Sequence, residues 1–317
     1  MISTMKESLL KLLMCPKCKS DLTLSVTQKD KEIAEGDLFC DVCNIHYPIH
    51  KYIPRFVKRD EYVANFSMEW DLHRNTQLDS ISGYGESERT FVEKTGFDLR
   101  MLKGKLILDA GCGSGRFMEI AAKYGAEVVG FDLSYAVDSA FANMGLNKNI
   151  NIIQADIFDL PLKIESFDFI YSIGVLHHTP CTKDAFMRLP GLLKTNGEIA
   201  IWVYADEPFH VKVFNRVSGL YRFFTTKMPL RMLYRFCHIA VPLYYLYKAK
   251  GLGHIFRVML PLSTHPDPQW RVLDTFDWYS PKYQWKHTYK EVAGWFEEAK
   301  LQDIVKLSIP VSMKGRR

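Results

Sequence analysis

Two cysteine pairs, Cys15-Pro-Lys-Cys18 and Cys40-Asp-Val-Cys43, stand near the start of a 317-residue chain. Two residues between ligands let one tight turn aim both thiolates at a single point. Two such turns complete a tetrahedral four-sulfur shell, the closed geometry of structural zinc. Cys15, Cys18, Cys40 and Cys43 are therefore the expected Zn2+ ligands, with His46 and His50 surplus to a filled shell. A second chemical cluster is Asp109-Ala-Gly-Cys-Gly-Ser-Gly115. Glycines at alternate positions remove Cβ atoms, so the chain can turn sharply and a ligand can lie against the backbone. A helix N-terminus behind the loop would offer free N–H donors to an anionic group such as a carboxylate. The spacing differs from the dinucleotide fingerprint G-x-G-x-x-G. Asp132 and Asp156 close the next two apolar runs. One carboxylate can accept ribose hydroxyls and the other the exocyclic amine of an adenine, so the cluster suits an adenine nucleoside with an anionic tail.

The elements that position these groups follow from periodicity. Leu106–Leu108, Glu127–Phe131, Asn151–Gln154, Phe167–Ser172 and Gly197–Tyr204 are short apolar runs of strand type. Helical patterns separate them, the first carrying Phe117, Ile120, Ala121 and Tyr124 on one side. Strands alternating with helices predict an α/β fold with a parallel sheet and ligands at its carboxyl edge. Around the cysteines, Leu22–Val26 reads as a strand, Lys29–Gly36 as a turn, and Leu38-Phe39 as the re-entry to the second pair. So short a unit cannot bury much core, which is where a metal staple is needed. Chelation is expected to unfold this unit and spare the sheet. Thr288-x-x-Glu291 is a capping box that opens a helix with Val292, Trp295, Phe296 and Ala299 on its apolar stripe.

Leu108–Gly115, Gly130–Asp132, Ala155-Asp156 and Ser172–His178 together resemble the motifs of class I S-adenosylmethionine (SAM) methyltransferases over residues 104–204. The resemblance implies a Rossmann-like seven-stranded sheet, parallel except for a terminal antiparallel hairpin, here Ile304–Ile309 and Val311–Met313. It implies SAM as cofactor, with Asp109, Gly111, Gly113 and Gly115 at the methionine end and Asp132 on the ribose. Leu133, Asp156, Ile157 and Ser172 complete the implied cofactor contacts. His177, after the fourth strand, is the candidate catalytic base for a hydroxyl acceptor. Trp70, Gln77 and Arg89 are candidate lid contacts on helices before the first strand. Residues 9–57, through Tyr47-Pro-Ile49 and Ile53-Pro-Arg-Phe56, resemble a small zinc-ribbon family that includes the activator subunit of eukaryotic tRNA and release-factor methyltransferases. The chain departs from that pattern at His50-Lys51-Tyr52.

The expected organisation is a zinc ribbon over 1–58, cofactor-covering helices over 59–103, the methyltransferase domain over 104–205 and 285–317, and an inserted helical cap over 206–284. From Asp206 to Leu262 there are two acids and nine Lys or Arg, Lys250 among them, interleaved with aromatics. Such helices suit anionic membrane surfaces or nucleic-acid phosphates. Apolar runs such as Ile239–Tyr247 favour a small-molecule or lipid-linked acceptor, with peripheral membrane contact through the cap; an RNA acceptor is the alternative. Asp277, Tyr279 and Tyr283, in an aromatic and polar stretch, are candidate substrate contacts. The net charge of +5 permits an anionic partner without demanding one. Met1–Cys15 lacks a signal core because Lys11 interrupts it, so a cytoplasmic location is expected, with the inner membrane surface as a peripheral site.

Overall fold

A computed structural model describes residues 7–29, 33–57, 63–145, 147–248 and 252–317. After a single helical turn, α1 (Glu7–Leu10), the chain forms a four-stranded antiparallel sheet: β1 (Thr23–Lys29), β2 (Ile33–Cys40), β3 (Ile45–His50) and β4 (Ile53–Pro54). β2 begins inside the stretch expected to be a turn. Burial decides this, because Ile33 and Ala34 are enclosed and alternation continues to Cys40. Gly36 is required there, since a Cβ would lie 2.5 Å from the Ser25 carbonyl oxygen of the neighbouring strand.

Three helices follow, α2 (Ala64–Leu72), α3 (Asp79–Ser82) and α4 (Glu86–Thr95). The main sheet then alternates with helices: β5 (Leu106–Ala110), α5 (Arg116–Lys123), β6 (Glu127–Asp132), α6 (Ala136–Met144), β7 (Ile150–Gln154), β8 (Phe167–Ile173), α7 (Thr182–Met187) and β9 (Leu193–Trp202). A helical insertion comes next: α8 (Phe209–Thr225), α9 (Leu230–Cys237), α10 (Ala240–Tyr247), α11 (Leu252–Met259) and α12 (Pro268–Tyr279). The chain ends with α13 (Tyr289–Glu298), capped by the Thr288 hydroxyl, and the hairpin β10 (Gln302–Lys306) and β11 (Ser312–Arg316). The sheet order is β10-β11-β9-β8-β5-β6-β7, with β11 antiparallel to both neighbours and the other pairs parallel. This is the expected seven-stranded α/β architecture. Among the described residues, no helix is long and apolar enough to cross a membrane. The expected boundary at 58/59 and Lys250 lie outside the described residues.

The ribbon shares its core with the sheet. Leu9, Leu13, Leu38, Tyr47 and Ile49 belong to the same buried cluster as Leu108, Val129, Phe131 and Ile153. Backbone bonds reinforce the joint: Met14 N–H donates to the Pro161 carbonyl, Lys163 N–H to that of Leu12, and Phe56 N–H to that of Gln154. Arg55, almost fully buried, donates to both carboxylate oxygens of Asp138 and to Gln154 Oε1. Each fully buried Leu is worth ~1.5–3 kcal/mol, so losing the ribbon would strip several such contacts from the sheet. That overturns the expectation of independent unfolding. Removing zinc should lower the melting temperature of the whole chain in one calorimetric transition; a separate early ribbon transition, with the main one unmoved, would contradict the shared core.

Candidate functional site

β5 runs out at Ala110 and the chain turns through Gly111 and Gly113, both with positive φ (90° and 51°). A Cβ on Gly111 would lie 2.4 Å from the Val175 side chain, and one on Gly113 would lie 3.2 Å from the Trp70 indole. The turn therefore needs glycine for its backbone conformation and for the close approach of its neighbours. Asp132, at the end of the adjacent strand β6, accepts the Gly113 N–H at 3.1 Å through Oδ2. Its Oδ1 accepts the Ser134 N–H at 2.8 Å and the Ser134 hydroxyl at 2.7 Å. Of about four acceptor positions on a carboxylate, these bonds engage three, and the Leu133 N–H also bonds the group. Burial pushes the Asp132 carboxyl up, and the Ser134 and Gly113 bonds oppose it.

These groups border a cavity of about 520 Å³, within the size range of small-ligand sites. Gly111, Gly113, Asp132, Leu133, Asp156 and Ile157 form part of its wall, as do the lid candidates Trp70 and Gln77. Arg89 faces a different depression, beside Glu119 and Asn143. Asp109, Gly115 and Ser172 stand behind the wall. The Tyr171 hydroxyl donates to Asp109 at 2.9 Å, and the Ser172 hydroxyl donates to the Ala110 carbonyl at 2.7 Å. Gly115 caps α5. These three shape the turn from beneath.

The two adjacent histidines occupy different surroundings. His177 is fully buried, stacks on Tyr204 at 3.9 Å between ring centroids, and has no partner for either ring nitrogen. Burial holds it well below the usual histidine range, as a neutral packing ring off the cavity wall. His178 lines the cavity. Its Nδ1 lies 2.9 Å from the Tyr283 carbonyl oxygen. Because a carbonyl only accepts, Nδ1 carries the hydrogen, which leaves Nε2 as a bare lone pair. Nε2 has no hydrogen-bond partner and lies 3.9 Å from Asp277 Oδ1. Burial lowers the His178 pKa, while Asp277 and the Tyr283 carbonyl counteract it.

Of the three substrate candidates, Asp277 is on the wall, where its Oδ2 accepts the Tyr204 hydroxyl at 2.7 Å. Tyr279 points elsewhere: it sits in the cap core and donates to the Pro261 carbonyl. Tyr283 contributes its backbone carbonyl, and its ring is not part of the wall.

Several wall residues carried no local signal. Glu69 on α2 is 1% exposed with Oε2 unpartnered, and burial, then Asp277 and Asp274, pushes its carboxyl far up, toward the neutral form. Burial pushes Asp274 up to about 6. Lys94, whose Nζ lies 3.1 Å above the Trp202 ring, and Lys286, 4.3 Å above Tyr204, are each brought down to about 7 by burial. Arg116 completes the charged set, lowered to about 10 by the same cause. These side chains come from segments far apart in sequence. Asp274 and Asp277 alone share a helix turn, which is the one spacing that could have flagged them.

Asp109 yields a pH test. Burial, against the Tyr171 bond, raises its carboxyl from 3.8 to about 8. The unfolded chain releases this proton near 3.8 and the folded chain keeps it to about 8, so the folded state binds more protons between those values. Stability is then fullest at low pH and declines as pH climbs through that window. Asp109→Asn is neutral throughout. From about pH 5 to about pH 8 the wild-type melting temperature should fall relative to the Asn variant; parallel pH profiles would contradict it.

In the ribbon, the four cysteine sulfurs lie within 4.8 Å of one another. The Cys18–Cys40 and Cys15–Cys43 separations are 3.4 and 4.0 Å. A tetrahedron of Zn–S bonds of about 2.3 Å has edges of about 3.8 Å, so the donor set fits zinc. The Cys43 N–H and the Tyr47 hydroxyl lie within 3.4 Å of ligand sulfurs and orient them.

Comparison with known proteins agrees with both halves. Residues 108–201 match the family described as a methyltransferase domain, and residues 6–51 match the Trm112p-like proteins. A tRNA U34 carboxymethyltransferase of Cellvibrio japonicus is 32% identical over 111 residues, 32% of this chain and 34% of that protein. A 24-methylenesterol C-methyltransferase 2 of Oryza sativa subsp. japonica is 29% identical over 182 residues, 52% of this chain and 50% of that one. The chain thus spans between a third and a half of these relatives. Among solved structures, the complex of the Haloferax volcanii Trm112 methyltransferase activator with a methyltransferase aligns with TM-score 0.40 and 20% identity, covering 50% of this chain and 68% of that one. By these family matches, residues 6–51 are similar to the Trm112p-like proteins and residues 108–201 to the methyltransferase domain.

Proposed function

We propose that this protein is a SAM-dependent methyltransferase whose acceptor is a small or lipid-linked molecule bearing a hydroxyl. The observation that carries the reading is one continuous cavity, which runs from the glycine turn and Asp132 to a polar chamber beneath the cap. The site fits the cofactor on its own terms: Asp132 stands on the wall beside the glycine turn for a ribose hydroxyl, and Asp156 stands on the wall for an adenine amine. A Cβ on Gly113 would press on the Trp70 indole at 3.2 Å, so glycine keeps the turn close to the lid. When bound, SAM supplies a methyl group already activated on a sulfonium, so the protein's tasks are to orient, to exclude water and to move a proton.

His178 is the group placed to move it. Its Nδ1–H is committed to the Tyr283 carbonyl, and the unpartnered Nε2 is the acceptor for a hydroxyl proton. Asp277 then stabilises the imidazolium, since its carboxylate lies 3.9 Å away. The Tyr204 hydroxyl holds Asp277 in place. Val211, Phe214 and Trp278 give the chamber an apolar side under the cap, which suits a compact or acyl-bearing acceptor better than a polynucleotide. The relatives named above act on tRNA and on a sterol, so the acceptor class rests on this lining.

Transfer of tritium from labelled SAM into separated lipid, small-molecule and RNA fractions tests the class; label in RNA alone would defeat the reading. Asp132→Ala should weaken SAM binding by about 10–100-fold by calorimetry, the scale of a lost hydrogen bond to a charged group. His178→Ala should lower kcat by about 10²–10⁴-fold. His177→Phe should keep turnover, since neither nitrogen of His177 makes a bond. Full turnover in His178→Ala would remove it from the reaction.

A further inference from the structure

The cap has two sides, and the cavity uses only one. Along α8, Val211, Phe214, Asn215 and Ser218 recur at helical spacing and line the chamber. On another side of the same helix, Phe209, Lys212, Arg216, Leu220 and Phe223 recur every three or four residues and are all exposed, and Lys227 continues the row. Phe209 is 77% exposed and Leu220 67%. The pattern repeats on α9. Leu233 and Cys237 pack inward with Val272 and Phe276 of α12. Met232, Phe236 and Ile239 form an exposed apolar row, beside a basic row of Arg231 and Arg235. On α10, Tyr245 and Leu246 are exposed while Ala240 and Tyr247 are buried. More than half of the exposed large apolar side chains among the described residues lie between Phe209 and Met259.

Charge identifies the occupant. From Pro208 to Leu262 the sequence contains no Asp or Glu and nine Lys or Arg. Arg222 turns inward, donating to the Trp278 and Pro281 carbonyls, but Lys212, Arg216, Arg231 and Arg235 stay exposed next to the apolar rows. A cationic face studded with protruding apolar side chains complements an anionic bilayer, whose headgroups meet the cations while the acyl boundary takes the apolar tips. A single-stranded nucleic acid would need flat rings for stacking. Rings are exposed on the cap, Phe209, Phe223, Phe224, Phe236 and Tyr245 among them, but they stand among Leu220, Met232, Ile239, Leu246 and Met259, which offer no π-face and which an acyl boundary takes as readily as the rings.

We propose that the outer face of α8, α9 and α10 docks the protein on anionic lipid bilayers, with the acceptor chamber on the opposite side of α8. Docking needs no catalysis, so it stands or falls separately from the methyl-transfer reading. Vesicle flotation of the zinc-loaded full chain tests it, using phosphatidylcholine alone and phosphatidylcholine mixed with phosphatidylglycerol. The mixed vesicles should retain the protein and the neutral ones should not, and retention should fall with added salt. Leu220→Ser with Phe223→Ser, and separately Arg231→Glu with Arg235→Glu, should each reduce partitioning about tenfold or more. Unchanged circular dichroism and an unchanged SAM-induced thermal shift on the same samples would confirm folded variants with an intact cofactor site. The proposal is overturned if mixed vesicles do not retain the wild type, or if both double variants float as the wild type does. A labelled RNA oligonucleotide bound with steep salt dependence, while vesicles are ignored, would assign the face to nucleic acid instead. Loss of the thermal shift with flotation intact would count against the cofactor reading alone.

Discussion

The Asp132 carboxylate accepting the Gly113 N–H ties the ends of β5 and β6 together. This bond needs two backbones brought unusually near, and glycines make that possible. At Gly130, in β6 itself, a Cβ would lie 2.2 Å from the Met118 sulfur. The close approach lets α5 pack onto the sheet directly after the turn, so the N-terminus of α5, the turn and the acid converge at one sheet edge. Ser134 completes the arrangement by bonding the second carboxylate oxygen. The acid is held rigidly at the cavity wall.

The far end of the cavity obeys a different rule. Glu69, Lys94, Asp274, Asp277 and Lys286 come from the helices before the sheet, the last cap helix and the segment after it. Burial drives the acids Glu69 and Asp274 up and the lysines Lys94 and Lys286 down, each toward its neutral form. Charge in such a place is costly unless a partner arrives, so the chamber is poised to respond to the charge and hydrogen-bonding capacity of its occupant. His178 belongs to the same logic: one nitrogen is satisfied by the backbone and the other is left without a partner in a closed site.

The ribbon and the cap bracket this site in contrasting ways. The ribbon merges its apolar residues with those of the sheet and sends Arg55 to Gln154, whose Nε2 donates to the Leu133 carbonyl on the cavity wall. A zinc-stapled unit is thereby two hydrogen bonds from the cofactor-side wall. The cap instead keeps a small core of its own around Phe276 and Tyr279 and turns an apolar, basic side outward.

How much of this was legible beforehand depended on the distance over which each feature is encoded. The cysteine pairs, the glycine turn, Asp132, Asp156 and the order of strands rest on local spacing, and a tight turn or a strand-to-helix transition is specified within a few residues. The sequence alone therefore determined the metal shell and the fold class, and it named residues that the fold brings to one cavity wall, Gly111, Gly113, Asp132 and Asp156 among them. It named His177 and could not show that this ring would be buried against Tyr204 while His178 faces the cavity, because that follows from the packing of Tyr204 and the Tyr283 carbonyl. Nor could it place Tyr279, whose aromatic and polar character suits a cap core as well as a binding wall. The merging of the ribbon with the sheet and the gathering of Glu69, Lys94 and Lys286 were decided by tertiary structure, since burial and electrostatic environment arise from contacts between segments remote in the chain.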